Sequence, residues 1–227
     1  MQRTMKDLIL DSIASYRDEI LDFTKALIAI QTENPPGKSY RACVEVIENK
    51  LREIGLDYTV LEVPDALEQI IDASNHDRKL HPRYCLLSFY GRGERTLYFH
   101  GHYDVVPASG EAQFRPYVED GNLFGRGSSD MKSGLAAMIY AVKAIKACGI
   151  KLNGRIGLTI VPDEETGGVR GSRYLVDAGL LGKDGIGMLT PEPTSGVIWN
   201  ANRGAISLRI TVKGKPAHIG LHYQGIN

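Results

Sequence analysis

The chain has 227 residues, enough for one large domain or for one domain and part of a second. Its 27 basic and 27 acidic side chains cancel, so no basic excess points to nucleic acid or to an anionic membrane surface as a partner. The amino terminus lacks the apolar core of a signal peptide, and no apolar run is long enough to span a membrane. Three widely spaced cysteines without a Cys-x-x-Cys pair favour reduced thiols and a cytoplasmic location.

Segments with helical spacing of apolar residues alternate with short apolar runs that are typical of strands. In chain order, the predicted elements are a helix over 5–31, a helix over 40–54, strands over 58–63, 84–89 and 96–99, a helix over 131–148, a strand over 155–161, a helix over 171–178 and a strand over 186–189. The polar stretch 65–82 is predicted to be a loop, and the glycines of 91–94 predict a hairpin-like connection. The near-continuous apolar run at 155–161 is typical of a strand covered on both faces. The pattern predicts an α/β fold with three layers and a central, mostly parallel sheet.

The sequence pattern changes near Arg203-Gly204. Residues 205–213 alternate strictly between apolar and polar side chains, which indicates a half-exposed strand of an antiparallel sheet. We therefore predict a main domain at 1–203 and the beginning of a second domain at 204–227. Because so short a piece cannot bury a core of its own, we expect the chain to be the front part of a longer protein.

Two histidines and an aspartate follow the strand predicted at 96–99, in the run His100-Gly101-His102-Tyr103-Asp104. Open α/β sheets carry their sites at the carboxyl ends of strands, and neutral imidazole and carboxylate groups suit zinc-like cations. Strand alternation places His100, His102 and Asp104 on one face. A ligating histidine usually needs a partner that fixes its tautomer, and Asp104 is placed to serve His102 in this way.

Acidic residues follow three further turns. Asp130 ends a glycine-rich run before a helix, Glu164 and Glu165 follow the strand at 155–161, and Glu192 lies between two prolines. Each has a plain structural alternative: an N-cap for Asp130, a solvated acidic turn for the glutamate pair and an exposed loop acid for Glu192.

Together with His102, these carboxylates exceed what a single tetrahedral zinc needs. They suit two cations about 3.5–4 Å apart that share a carboxylate and a water. Glu164 and Glu165 are adjacent, so in an extended segment they point in different directions. One of the two can bind metal while the other takes a proton from the water.

These motifs resemble the acetylornithine deacetylase / succinyl-diaminopimelate desuccinylase family of metallopeptidases, which also includes aminoacylases and glutamate carboxypeptidases. The segments that carry the resemblance span nearly the whole chain in the family's order, namely His100–Pro107, Gly125–Gly134, Pro162–Gly168, Glu192 and Gly214–His218. The resemblance implies that 1–203 is the metallopeptidase catalytic domain and that 204–227 begins an inserted α+β lid domain used for dimerisation. It also implies a further metal-binding histidine near the C-terminus of family members, which these 227 residues do not include.

The resemblance implies a set of metal ligands. His102 and Glu192 would hold one metal ion, Asp130 would bridge both ions, and Glu165 would hold the second. The two divalent ions would be zinc by default, with cobalt or manganese as alternatives that also suit oxygen-rich sites.

The resemblance implies three catalytic residues as well. Asp104 would orient His102, and Glu164 would be the general base that activates water and then protonates the leaving amine. His218 would lie in the lid domain and, in a homodimer, stabilise the oxyanion in the partner's active site. A surface-loop histidine is the alternative interpretation of His218.

The activity that the resemblance implies is amide hydrolysis of an N-acyl amino acid or a small peptide by a di-metal enzyme. Asn202-Arg203-Gly204 stands where desuccinylases of the family often show Arg-Arg-Gly, so the succinyl substrate is not singled out. Two alternatives stay open: a truncated fragment that binds metal without catalysis, and a di-metal aminopeptidase of similar fold.

Overall fold

The computed structural model describes residues 3–64, 81–201, 204 and 213–226. They form two compact units, Met1–Pro193 and Thr194–Asn227. The loop predicted at 65–82 lies almost wholly outside the described residues, as does the strand predicted at 205–213. The domain boundary near Arg203 and the lid domain therefore stay predictions.

The first unit contains a mixed five-stranded sheet, a two-stranded hairpin and the helices around them. Its helices are α1 (Met5–Ser15), α2 (Arg17–Ile28), α3 (Tyr40–Glu53), α4 (Lys132–Ala147) and α5 (Tyr174–Asp177). Its strands are β1 (Tyr58–Glu62), β2 (Tyr84–Gly91), β3 (Thr96–His102), β4 (Tyr117–Glu119), β5 (Asn122–Phe124), β6 (Arg155–Val161) and β7 (Gly185–Leu189). The single helix predicted over 5–31 is two helices, because the backbone of Tyr16 leaves helical geometry between α1 and α2.

The strand order in the large sheet is β1-β2-β6-β3-β7. Strand β6 is parallel to β3 and antiparallel to β2, and β3 is parallel to β7. Four strands therefore run in one direction and only β2 opposes them, which confirms the mostly parallel sheet.

The hairpin predicted between β2 and β3 is wrong, because β6 lies between these two strands. All but the first residue of β6 are buried, so this strand needs a neighbour on each edge and cover on each face. Gly157 helps it fit: a Cβ there would lie 3.0 Å from side-chain atoms of Phe89, Thr96 and Tyr98.

Apolar side chains cover both faces of the sheet, which confirms the three-layer arrangement. On one face, α2, α3 and α4 contribute residues such as Leu27, Ile47 and Ile139 to a core shared with Leu158 and Ile160 of β6. A smaller core on the other face joins Leu175 of α5 and Leu181 to Cys85, Tyr98 and Val161.

The second unit has less regular structure among its described residues. A backbone bridge joins Lys215 to Ile226, and a short 3-10 segment spans Ile219–Gln224. Across both units, none of the helices in the described ranges combines the length and the apolar character that a membrane crossing requires.

Candidate metal centre

The candidate site lies where β3 and β6 end. The two strands are parallel and adjacent, and His102 is paired in register with Val161. The amide of Tyr103 donates to the carbonyl oxygen of Val161 (3.1 Å), so the two chains leave the sheet side by side. The sheet thereby brings together the segments that carry His102 and Asp104 with the turn that carries Glu164 and Glu165, as the sequence predicted.

His102 is buried and its two ring nitrogens face different partners. Nδ1 lies 3.0 Å from the backbone oxygen of Asp104 and 3.3 Å from its Oδ1. Nε2 lies 3.1 Å from Oδ1 of Asp130 and 3.5 Å from Oε1 of Glu192. Nδ1 thus faces Asp104, and Nε2 faces the carboxylates of Asp130 and Glu192.

His102, Asp130 and Glu192 form a group whose potential ligand atoms all lie within 4.8 Å of one another. One imidazole nitrogen and two carboxylate oxygens are a donor set that zinc and other divalent cations accept. Three of the four predicted metal ligands therefore converge, and the chemistry of their donor atoms fits a divalent cation.

The acidic surroundings of His102 attract positive charge. Burial alone would lower the pKa of His102, but hydrogen bonds to Asp104, Asp130 and Glu192 outweigh it and raise that pKa to about 12. The hydrogen bond from His102 in turn lowers the pKa of Asp130, against the opposing effect of burial. The carboxylates thus favour a cationic partner at Nε2, the position where a ligated metal ion would carry its charge.

Asp104 is fully buried and connects the imidazole to the acidic turn. Its Oδ1 accepts a hydrogen bond from the amide of Glu164 (3.2 Å), and its Oδ2 accepts one from the amide of Glu165 (3.1 Å). Because the same carboxylate faces Nδ1 of His102, it links the orientation of that ring to the position of the turn.

The two glutamates make different contacts, although they lie in a 3-10 segment and not in the extended chain that the prediction assumed. Oε2 of Glu164 lies 3.7 Å from Nε2 of His102, and about half of its side chain is exposed. Oε1 of Glu165 instead accepts a hydrogen bond from the amide of Val106 (3.1 Å). Glu165 is not part of the three-residue ligand group, so its role as ligand of a second ion stays a prediction.

Both glutamates have raised pKa values. Partial burial is the largest cause for each. The charges of Glu192, Asp104 and Asp130 raise the pKa of Glu164 further, while His102 lowers it. A carboxyl group with a raised pKa is a better proton acceptor than an ordinary one, which suits a general base.

Asp130 reaches the site from the loop before α4. The N-cap position of α4 is Met131, and no side chain caps the helix there, so the N-cap interpretation of Asp130 is wrong. Glycine lets the Glu192 segment approach this helix, because a Cβ on Gly134 would lie only 2.7 Å from the carbonyl oxygen of Pro191.

Sequence reasoning missed two polar residues beneath the site. Asn34 belongs to none of the predicted site motifs, yet the Nδ2 of its buried side chain lies 2.8 Å from Oδ2 of Asp104. Asp163 is also buried, and its Oδ2 accepts a hydrogen bond from the amide of Arg170 (3.1 Å). Asp163 lies within a predicted site motif, but nothing local to Asn34 reveals its contact with a residue 70 positions away.

His100 and His218 are not members of the three-residue ligand group. His100 bonds through its two ring nitrogens to Thr159 (2.7 Å) and Ser172 (2.8 Å), and burial lowers its pKa to about 4. His100 thus binds within the sheet and its flanking segment rather than in the ligand group. His218 belongs to the second unit, where its Nδ1 accepts a hydrogen bond from the amide of Gly220 (3.2 Å). Its proposed catalytic role stays a prediction.

Comparison with known families identifies the chain. Residues 98–219, more than half of the chain, match the model of peptidase family M20/M25/M40. The chain belongs to this family. The matched region begins within β3 and includes the three-residue ligand group together with Asp104, Glu164 and Glu165.

Curated relatives support the same family. The chain is 33% identical over 206 residues to a probable succinyl-diaminopimelate desuccinylase of Staphylococcus epidermidis, with 88% of this chain and 46% of that protein covered. It is 34% identical over 213 residues to the succinyl-diaminopimelate desuccinylase of Methylobacillus flagellatus, with 88% and 51% covered. The chain thus spans about half the length of the curated relatives it matches.

Solved structures share the fold. Human carnosine dipeptidase 1 superposes with a TM-score of 0.61 at 23% identity, over 78% of this chain and 38% of that one. The dipeptidase Dug1p from Saccharomyces cerevisiae gives a TM-score of 0.57 at 21% identity, over 72% and 36% of the two chains. At these identities the comparison supports the α/β fold alone.

Proposed function

We propose that this chain carries the metal centre of a divalent-metal-dependent amidohydrolase that cleaves N-acyl amino acids or small peptides. The observation that carries the proposal is the convergence of ligand atoms from His102, Asp130 and Glu192 within 4.8 Å. Three separate segments supply these residues. The Asp104 carboxylate contacts Nδ1 of His102, the ring nitrogen that does not face the ligand group. Such carboxylate–histidine pairs fix the ring that ligates a metal ion.

The proposed centre holds two divalent ions, zinc by default and cobalt or manganese as alternatives. His102, Glu192, Asp130 and Glu165 would hold these ions, with Asp130 shared between them. When bound, such ions polarise an amide carbonyl and lower the pKa of water toward about 7.

Glu164 is the proposed general base. Its carboxylate is half exposed and lies at the rim of the ligand group, where a water and a substrate amide can reach it. Partial burial and neighbouring acids raise its pKa, so it can take a proton from water and return it to the leaving amine.

The proposed substrates are small amides with a free carboxylate or a second amino acid. Relatives named as desuccinylases point to N-acyl amino acids, whereas relatives of the same fold include dipeptidases. Homodimerisation through the lid, with His218 of one copy acting in the other's site, is part of the same proposal.

The decisive experiment combines metal counting with a substrate panel. The full-length protein is loaded with zinc or cobalt, and its hydrolysis of N-acetyl and N-succinyl amino acids is compared with that of unblocked dipeptides, while bound metal is also counted on the 227-residue chain. Preferential cleavage of the N-acyl amino acids is the expected result. Cleavage of unblocked dipeptides alone favours the aminopeptidase, bound metal without turnover favours a metal-binding fragment, and failure to bind metal overturns the proposal.

A further inference from the structure

We propose that Asn34 is a positioning residue of the metal centre. Its amide group fixes the Asp104 carboxylate and the acidic turn 163–166 in a single arrangement, and through them the His102 ring and both glutamates. This inference rests on the proposed function, because it concerns how the same site is held in shape.

A short backbone pairing delivers Asn34 to the site. The amide of Asn34 donates to the carbonyl oxygen of Val105 (2.8 Å), and the amide of Val105 donates to that of Thr32 (3.0 Å). The hydroxyl of Thr32 donates to the carbonyl oxygen of Tyr103 (2.6 Å). The segment 32–34 thus runs along the segment 103–105 and sets the register that places Asn34 beside Asp104.

The side chain of Asn34 joins two segments that carry the site. Nδ2 lies 2.8 Å from Oδ2 of Asp104, which follows β3, and 2.9 Å from Oγ1 of Thr166, which follows β6. A longer contact of 3.3 Å reaches Oδ1 of Asp163. An amide nitrogen has two hydrogens, so the two short contacts use both of them.

Arg83 sets which way the amide faces. Its Nη2 lies 3.3 Å from Oδ1 of Asn34, and its Nε lies 3.9 Å from Oδ1 of Asp163. All three side chains are buried. Because the Arg83 guanidinium donates a hydrogen bond to the amide oxygen of Asn34, the amide nitrogen of Asn34 faces the carboxylates of Asp104 and Asp163.

Asparagine suits this position because the group must donate to a carboxylate without adding charge. Aspartate in its place would set a further carboxylate against Asp104 and Asp163, and alanine would leave Asp104 without one of its donors. Asp104 also accepts hydrogen bonds from the amides of Glu164 and Glu165, and it faces Nδ1 of His102. A shift of the Asp104 carboxylate would therefore move the His102 ring and the turn that carries Glu164 and Glu165.

The test measures metal affinity directly, so it does not depend on turnover. Zinc and cobalt affinities of Asn34→Ala and Asn34→Asp are measured by competition with a chromogenic chelator, and the cobalt absorption spectrum is recorded. Loss of a partner that directly orients a metal ligand costs about 10- to 100-fold in affinity. Because Asn34 acts one step further out, through Asp104, we expect a loss near the lower end of this range for Asn34→Ala, a larger one for Asn34→Asp, and an altered cobalt spectrum for both.

Ser88→Ala is the matched control. Ser88 is buried in β2 and its hydroxyl donates to the carbonyl oxygen of Asp57 (2.7 Å), a contact outside the site. This variant should lose thermal stability while keeping the affinity and cobalt spectrum of the wild type. If both Asn34 variants behave like this control, Asn34 is only structural and the inference fails. If the wild type itself binds no metal, the proposed function fails, and the inference fails with it.

Discussion

Gly134 and Pro191 lie in direct contact, and this contact sets the position of Glu192. A Cβ on Gly134 would lie 2.7 Å from the carbonyl oxygen and 3.0 Å from Cγ of Pro191. The first turn of α4 therefore packs against the backbone next to Glu192, while Asp130 enters the site from just before the same helix. The first turn of α4 thus helps to position both Asp130 and Glu192.

Replacement of Gly134 with alanine should weaken metal binding. In an exposed helix interior, alanine is favoured over glycine by about 1 kcal/mol. At Gly134 the added methyl group would instead collide with the backbone carbonyl of Pro191, which can move only together with the Glu192 segment. We expect lower thermal stability and lower zinc affinity, measured by unfolding and by chelator competition. Gly110→Ala is the control, because a Cβ at Gly110 meets nothing within 4 Å. Equal behaviour of the two variants would contradict the argument.

Replacement of Glu192 with glutamine should remove a metal ligand and keep the shape of the side chain. We expect zinc affinity to fall by more than the roughly 10- to 100-fold typical of an outer partner, because the ligand charge itself is lost. Equilibrium dialysis with metal analysis measures the change. Glu119→Gln, on the exposed strand β4, should bind zinc as the wild type does. Unchanged affinity in Glu192→Gln would remove this residue from the ligand set.

Replacement of Glu164 with glutamine should separate catalysis from metal binding. Glu164 is outside the three-residue ligand group, so metal affinity should stay within a few-fold of the wild type. Amide hydrolysis should fall by about 100-fold or more, since general-base catalysis contributes about 10²- to 10⁴-fold. Parallel measurement of metal content and turnover checks both statements. Near-normal turnover in a variant with full metal content would exclude Glu164 as the base.

The sequence predicted the parts of the site that depend on local patterns. His102, Asp130 and Glu192 each follow or precede a strand or helix whose periodicity is clear, and parallel strands bring such ends together at one edge of the sheet. Polar residues beside apolar runs were therefore a sufficient signal for these three. The family motifs assigned the roles that spacing left open.

Strand neighbours and side-chain contacts between distant segments could not be predicted from the local sequence pattern. The glycines between β2 and β3 suit a hairpin, and only the need of β6 for two neighbours separates these strands. Asn34 was missed for the same reason, because its function depends on a backbone pairing with a segment 70 residues away. A local pattern contains no information on such contacts.

Asp184 should make the stability of the fold sensitive to acid. Hydrogen bonds from Thr96, Tyr98 and Arg155 hold the pKa of its carboxyl well below the ordinary value, and they tie the start of β7 to β3 and β6. Because the folded-state pKa is depressed, the unfolded chain takes up the proton first. The stabilisation is therefore complete above the unfolded pKa of about 3.9 and is lost as the pH falls below it.

Replacement of Asp184 with asparagine should remove this pH-dependent part. We expect the variant to be less stable than the wild type at pH 7 and the difference to shrink steadily below about pH 4. Urea unfolding across a pH series measures the difference. Asp11→Asn is the control, because Asp11 forms an exposed pair with Arg3 (3.5 Å), and such pairs contribute about 0–1 kcal/mol. A difference between wild type and Asp184→Asn that stays constant from pH 7 to pH 2 would show that the Asp184 charge does not stabilise the junction of β3, β6 and β7.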